Sequence, residues 1–354
     1  MPTRAIRAAL LCAAALAIAA PALAQNHTPP KEAMAPGWEP KRNAMGQPNF
    51  SGAWGNESLT PFERPSTMGA RAVLTPEEVA QREGGADARY AASNAPTDLS
   101  KPAVEDGRTG GYNSYWVGNN NRVMRVGGEP RTSLITYPEN GRIPPRKADA
   151  PPKQTSPLQT IFFTPEVGDL DSYEVRSGAE RCIFWPSQAG AVLRAAAYNT
   201  NYQITQGTEA VAIMAETIND TRIVRLNSTH HPSSAITRPW MGDSIGWYEG
   251  DTLVVETINY HPEQYFFYAS DQLKVTERFT LVADDRLLYQ FHVEDPLVWA
   301  EPWGGEYEFS RSPGVWEYAC HEGNHGMYNA LMIGRMQDAG LIKPDTAATL
   351  GGID

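Results

Sequence analysis

The sequence predicts a mainly β protein, an antiparallel meander that closes into a barrel or stacks as a sandwich, with a few short helices, one of them near the C-terminus. Two observations carry this reading. The second half of the chain is a succession of short β-favouring runs joined by tight turns, with almost no helical period between them, which argues against a βαβ series. The 28 prolines and 30 glycines among 354 residues supply the punctuation such a meander needs. No segment recurs at the period of a propeller blade, so a single sheet system is preferred to radial repeats.

The chain opens with the features of an export signal. Arg4 and Arg7 precede an apolar run over 8–20, and Ala22-Leu23-Ala24 has the small-x-small form of a cleavage site. Cleavage after Ala24 places the mature protein in the periplasm or outside the cell and removes Cys12 with the signal. No later run approaches the roughly 18 apolar residues needed to cross a bilayer, so no stable membrane insertion is expected. The formal charge is −11 and becomes more negative when Arg4 and Arg7 leave, a balance that repels phosphate backbones and anionic lipid and argues against a nucleic-acid partner. Nothing in the pattern fixes an oligomeric state.

Residues 25–48 are rich in Pro, Asn and Lys without apolar period and read as an extended leader. A single β-rich domain is expected over 49–354. Thr75-Pro76-Glu77-Glu78 is a helix start, with a threonine cap, proline at the first helical position and glutamate three residues after the cap; the helix is expected to end at Gly84-Gly85 or shortly beyond. Gly, Asn and charge dominate about 98–128, a long loop carrying Tyr112, Tyr115 and Trp116. A hairpin is expected from 132–137 through Pro138–Gly141 and back over 142–143, then strands at 202–206, 210–217 and 221–226. Hairpins follow at 244–248 with 252–258, at 273–282 with 286–293, and at 306–310 with 315–319. A helix begun near Asn324 completes the order, over 323–336.

Only Cys182 and Cys320 remain after the signal, and in an oxidising compartment two cysteines are most simply read as one disulfide. A free Cys320 nucleophile activated by His321 is the competing reading.

Ser51-Gly52-Ala53-Trp54, Glu180-Arg181-Cys182, the string from Gly242-Asp243-Ser244 through Trp247-Tyr248-Glu249-Gly250-Asp251-Thr252 to Glu256-Thr257, Glu277-Arg278-Phe279 and Glu317-Tyr318-Ala319-Cys320-His321-Glu322-Gly323-Asn324 resemble a widespread group of secreted bacterial proteins of no established activity. That resemblance implies export and a β-rich fold. Members of the group tend to carry tyrosine where this chain has His325. Gly52-x-Trp54 also resembles the first-strand signature of lipocalins, in which a tryptophan closes one barrel end, and implies a lipocalin- or calycin-like barrel.

The chemistry concentrates between Tyr318 and Gly326. His321-Glu322-x-x-His325 matches the zinc-protease pattern, in which two histidines one helical turn apart bind the metal and the glutamate polarises a water. Strand character up to Cys320 and glycine at 323 instead place His321 before the helix, with Glu322 and Asn324 capping it. Metal and cofactor are therefore both expected to be absent. His230-His231 read as an exposed loop. Asp243 with Glu249 would suit carbohydrate hydrolysis, and Gly242-Asp243-Ser244-Ile245-Gly246 matches a nucleophile elbow that the following strand contradicts. The reading preferred is an exported protein holding a small organic ligand in an aromatic pocket, a cofactor-free acid–base enzyme of the lyase, isomerase or hydrolase type. His321 is its proton carrier, Glu322 the base or orienter, and Tyr318 a wall; Tyr265, Phe267, Trp247 and His292 are the ligand-binding set. A non-catalytic lipocalin-like binder and a zinc metalloprotease are the alternatives.

Overall fold

The computed structural model describes residues 34, 37–93, 122–153, 172–185, 189–195, 199–232, 238–264 and 266–341. The signal-like segment, most of the 98–128 loop and Tyr265 lie outside these residues.

Twelve strands and two α-helices follow in chain order: β1 (Gly52–Gly55), α1 (Pro76–Ser93), β2 (Arg125–Val126), β3 (Glu129–Pro130), β4 (Ile135–Tyr137), β5 (Asn201–Gln206), β6 (Ala210–Ala215), β7 (Thr221–Leu226), β8 (Asp243–Glu249), β9 (Thr252–Ile258), β10 (Lys274–Ala283), β11 (Arg286–Glu294), β12 (Trp303–Arg311) and α2 (His325–Asp338). Strands β5 to β12 run side by side in sequence order, and β1 pairs with both β5 and β12, closing a nine-stranded barrel. The closure falls on Trp54, which faces Tyr202 on one side and Arg311 on the other. Its buried indole N–H donates to the Phe50 carbonyl at 2.7 Å, and the Arg311 guanidinium lies 3.8 Å over its ring. The tryptophan of the Gly-x-Trp motif thus seals the barrel seam.

The meander is broken once. β7 and β8 are parallel, with Val224 opposite Ser244, because the chain crosses over between Leu226 and Asp243 instead of turning back. Three other expectations change. Residues 142–143 do not return against 132–137; β4 instead pairs with β12, where Gly305 leaves room for its backbone and Gly304 for the Tyr137 side chain. Residues 315–319 form no strand, and the third hairpin is replaced by β11 with β12. Helix α1 continues through Gly84 and Gly85 to Ser93. Two interior glycines cost about 1 kcal/mol each, but Glu83 anchors the helix from the side, accepting from the Val123 amide at 3.1 Å and from Arg125 at 2.9 Å. Its start is as expected: the Glu78 amide donates to the Thr75 hydroxyl at 3.3 Å and Glu78 accepts from the Thr75 amide at 2.8 Å.

The alternation of the strands sorts side chains into a lumen and an outer face. Leu287, Tyr289, Phe291 and Val293 of β11 and Trp303, Tyr307 and Phe309 of β12 point inward and are buried. The opposite wall is built of smaller residues, among them Val211, Ile213, Ala215, Val224, Ser244 and Gly246. The stretch over 189–193 fills the space between the walls. The Leu193 amide donates to the Tyr289 hydroxyl at 3.2 Å, and its carbonyl accepts from the Tyr307 hydroxyl and from Asn56 at 2.7 Å.

One ion pair crosses this apolar interior. Arg222 of β7 reaches Glu277 of β10 through both terminal nitrogens, at 2.5 and 3.0 Å, and the Tyr289 hydroxyl donates to the same carboxylate at 2.8 Å. Both charged side chains are essentially inaccessible, at 1% and 0%. Burial pushes the hydroxyls of Tyr202, Tyr260, Tyr289 and Tyr307 up, so all four stay protonated donors.

Candidate functional site

The acid–base cluster read from the sequence lies outside the barrel, where the chain leaves β12 and enters α2. Three segments converge there. The β6–β7 corner passes through a single 3₁₀ turn, Thr217–Asn219, in which Ile218 sits at φ 64° and Asn219 at φ 56°. The turn around Cys182 places that residue at φ 55°. The third segment, 316–322, has no regular structure and is held from below: Glu216, 1% exposed, accepts from Asn199 at 2.8 Å, from Asn201 at 2.7 Å and from the Trp316 amide at 3.1 Å.

The disulfide joins the second and third segments. Cys182 and Cys320 are bonded, with Cα atoms 5.8 Å apart, as the cysteine count predicts. Asn219 donates to the Tyr318 carbonyl at 3.2 Å and Asn324 to the Glu180 carbonyl at 3.1 Å. Between the segments is a cleft of about 180 Å³, lined by Cys182, Ile218, Asn219 and residues 317–322. The three side chains expected to carry chemistry, Tyr318, His321 and Glu322, line it together, and His321 and Glu322 are exposed to solvent.

A β-branched residue at positive φ is a genuine outlier, with a cost of order 1–3 kcal/mol, and such strain gathers at functional sites. Ile218 is one, and it forms a wall of the same cleft.

Helix α2 begins at His325, and Asn324 caps it by accepting from the Met327 amide at 3.1 Å. His321 therefore precedes the helix, and the zinc-protease geometry, which needs both histidines within one helix, is not formed. The arrest comes from Gly323, whose φ of 62° turns the chain before the cap. Among the described residues no group of three or more His, Cys, Asp or Glu side chains is placed to hold a metal ion.

Trp247, Phe267 and His292 of the expected ligand-binding set do not line this cleft, and Tyr265 lies outside the described residues. Trp247 lies on the outer face of β8, where its indole N–H donates to Glu249 at 2.9 Å. Phe267 belongs to an aromatic cap on one barrel end, stacked on Phe62 at 5.9 Å and edge-on to Trp303 at 5.9 Å, with the Arg194 guanidinium 4.7 Å over Phe62. His292 is on the outer face of β11, buried beneath Tyr137. Trp247 and His292 share the outer face but on strands held apart by β9 and β10, and Phe267 lies in the turn between β9 and β10, so the three do not meet.

Of two other readings, that of Ser244 holds and that of the histidine pair moves. Ser244 faces the lumen with its hydroxyl 2.8 Å from Thr257, in the strand and not at an elbow. His230 and His231 are not a bare loop: His230 sets Nδ1 3.2 Å from Asp243 and Nε2 3.2 Å from Glu256, and His231 sets Nδ1 3.1 Å from Asp243. Burial pushes the Asp243 carboxyl up, but donation by the His231 amide, Arg225 and the two imidazoles outweighs it and holds the group below its ordinary value.

Comparison with known proteins finds no matching family model, no similar curated protein and no similar solved structure.

Proposed function

We propose that this chain is an exported, cofactor-free acid–base enzyme acting on a small organic molecule in the cleft beside the Cys182–Cys320 disulfide. His321 transfers the proton, Glu322 orients it or serves as the base, and Tyr318 forms a wall. Hydration, dehydration, isomerisation or hydrolysis each need no more than such a pair. The observation that carries the reading is the convergence of these three residues with the strained Ile218 on one solvent-open cleft. Its volume, about 180 Å³, is below the roughly 300–1,000 Å³ of drug-sized sites, which restricts the ligand to a small one. The signal-like residues 1–24 and the disulfide support export. A lipocalin-like binder has less support, since the side chains lining the described lumen pack against one another and against 189–193.

The test is a saturation-transfer NMR screen of the full chain against a panel of small carboxylic acids, ketones and phenols, followed by turnover assays on the hits. His321→Ala is expected to abolish turnover and leave thermal unfolding within about 0.5 kcal/mol of the parent, as for other exposed substitutions. Hits that His321→Ala and Glu322→Gln neither weaken nor leave unturned would refute the assignment.

A further inference from the structure

A second set of acid–base groups lies on the outer face of the barrel, placed by strand register. Glu256, Thr276, His292, Gly304 and Tyr137 stand in one register row across β9, β10, β11, β12 and β4. Side chains in such a row share a face and sit side by side. Gly304 is the gap that lets Tyr137 cross: a Cβ there would collide with the Tyr137 hydroxyl. Across that gap the Tyr137 hydroxyl comes within 2.7 Å of His292 Nδ1, with the rings stacked at 5.8 Å.

For a neutral imidazole, proton counting selects the roles. The phenol has one proton and two acceptors in reach, His292 Nδ1 at 2.7 Å and the Phe291 carbonyl at 3.2 Å. If it donated to the carbonyl, Nδ1 would have to carry the imidazole proton, and the bare lone pair of Nε2 would face the Glu294 carboxylate at 3.8 Å. Two acceptors facing each other repel. With the phenol donating to Nδ1, the Nε2 proton faces the Glu294 carboxylate, beyond hydrogen-bond distance at 3.8 Å but favourable in charge. The order carboxylate, imidazole, hydroxyl is that of a nucleophilic triad with a phenol in place of the serine.

The surroundings agree. His292 is buried, and its Nε2 has no hydrogen-bond partner among the described residues. The interaction with His292, and with Lys274 at 2.8 Å, overcomes partial burial and holds the Glu294 carboxyl down to about 2, so it remains the anionic end. Burial, with Glu294 and Glu306 nearby, pushes the Tyr137 hydroxyl up. The phenolate therefore does not stand ready, and the hydroxyl needs a base at the moment of attack. Tyr137 itself keeps part of its surface open.

We propose that Tyr137, His292 and Glu294 form a second reactive site, in which the Tyr137 hydroxyl attacks the carbonyl carbon of small carboxylic esters. His292 accepts the phenolic proton as the oxygen–carbon bond forms, and returns it to the departing alkoxide as the ester bond breaks. Water then attacks the acyl-tyrosine, the acid leaves and the phenol is regenerated. Glu294 is a positioning residue: its negative charge, 3.8 Å from Nε2, favours the tautomer with the proton there and leaves the Nδ1 lone pair facing the phenol.

A sulfonyl fluoride probes the first step directly, because it forms a sulfonyl–oxygen bond with the phenol and releases fluoride. The full chain is treated with phenylmethanesulfonyl fluoride at neutral pH and labelled tyrosines are mapped by peptide mass spectrometry, alongside release of 4-nitrophenolate from 4-nitrophenyl acetate. Tyr137 is expected to label at least about tenfold faster than the more exposed Tyr173 and Tyr328, a modest share of the roughly 10²–10⁴ a positioned base supplies. His292→Gln is expected to erase that advantage, and Glu294→Gln to reduce it while the variant remains folded at neutral pH. Should His292→Gln fail to fold, the Glu294→Gln rate decides. Labelling that follows exposure alone, or that survives both substitutions, overturns the proposal. His321→Ala must leave Tyr137 labelling intact, which separates this site from the cleft.

Discussion

The lumen of the barrel and the cleft at its disulfide-tethered end both hold charged and aromatic side chains, and they are built on opposite terms. In the lumen Arg222 and Glu277 exchange two hydrogen bonds, Tyr289 supplies a third, and Leu193 ties the tyrosines to the chain that fills the interior. The cleft instead has its reactive side chains facing solvent, its wall on a strained Ile218, and its position set by one disulfide and a few side-chain-to-backbone bonds. The groups of a sealed network that bond one another are committed to each other and hold the fold together. Groups left facing an open cleft on a strained frame are available to a ligand.

Breaking the lumen should give the largest effect. Glu277→Ala leaves Arg222 charged and unpaired in an apolar barrel, a situation that typically costs about 3–5 kcal/mol, and urea denaturation is expected to show a loss of that size. The double substitution Arg222→Met with Glu277→Leu should recover most of it, because the desolvation of both charges disappears with the pair. If the single variant loses less than about 1 kcal/mol, the lumen is wetter than its burial implies and the contrast fails.

Cutting the tether is the next largest. Cys320→Ser removes a bond that closes a long loop, worth roughly 2–4 kcal/mol. The loss should concentrate on the cleft. Proteolysis around 317–322 and along α2 is expected to accelerate well before the barrel melts, since α2 presents Tyr328, Met332 and Ile333 to solvent instead of packing them. Uniform acceleration across barrel and helix would mean that the tether supports the whole molecule.

These regions were unequally legible in the sequence. Strands β8 to β11 could be read because their hairpins are local: the Glu249-Gly250-Asp251 and Asp284-Asp285 turns lie between runs of β-formers, and period two needs no distant partner. The pairing of β4 with β12 was not readable, since it joins residues about 170 positions apart, although Gly304-Gly305 inside an aromatic strand marks where another backbone comes close. Of the cleft, the cluster from Tyr318 to Glu322 was visible as composition, and Asn324 as a cap. Ile218 was not, because nothing about an isoleucine announces a positive φ. The Arg222–Glu277 pair, and the row from Glu256 to Tyr137, depend on register across the closed sheet, which appears only when the barrel is assembled.

Relaxing the frame should give a smaller effect of opposite sign. Ile218→Asn places a residue that tolerates positive φ at φ 64° and is expected to stabilise the protein by about 0.5–1 kcal/mol, part of the strain it removes. Binding of any ligand found for the cleft should weaken at the same time. A variant that is more stable and binds equally well would show that the strain is incidental to the site.

The smallest effect is confined to acid and tests the outer face, which lies between the two extremes. Glu294 is held by His292 and Lys274 down to about 2, below the ordinary glutamate value of about 4.3. Its folded-state value is the lower one, so the unfolded chain binds its proton first as the pH drops. The stabilisation is therefore complete at any pH above the unfolded value and disappears between about 4.3 and about 2. Glu294→Gln should accordingly have a shallower fall in melting temperature across that window than the parent, while the two curves run parallel from pH 6 to 8. Curves that stay parallel through the acid window would mean that Lys274 and His292 do not grip this carboxylate, and the proton order assigned to Tyr137 and His292 would lose its anionic end.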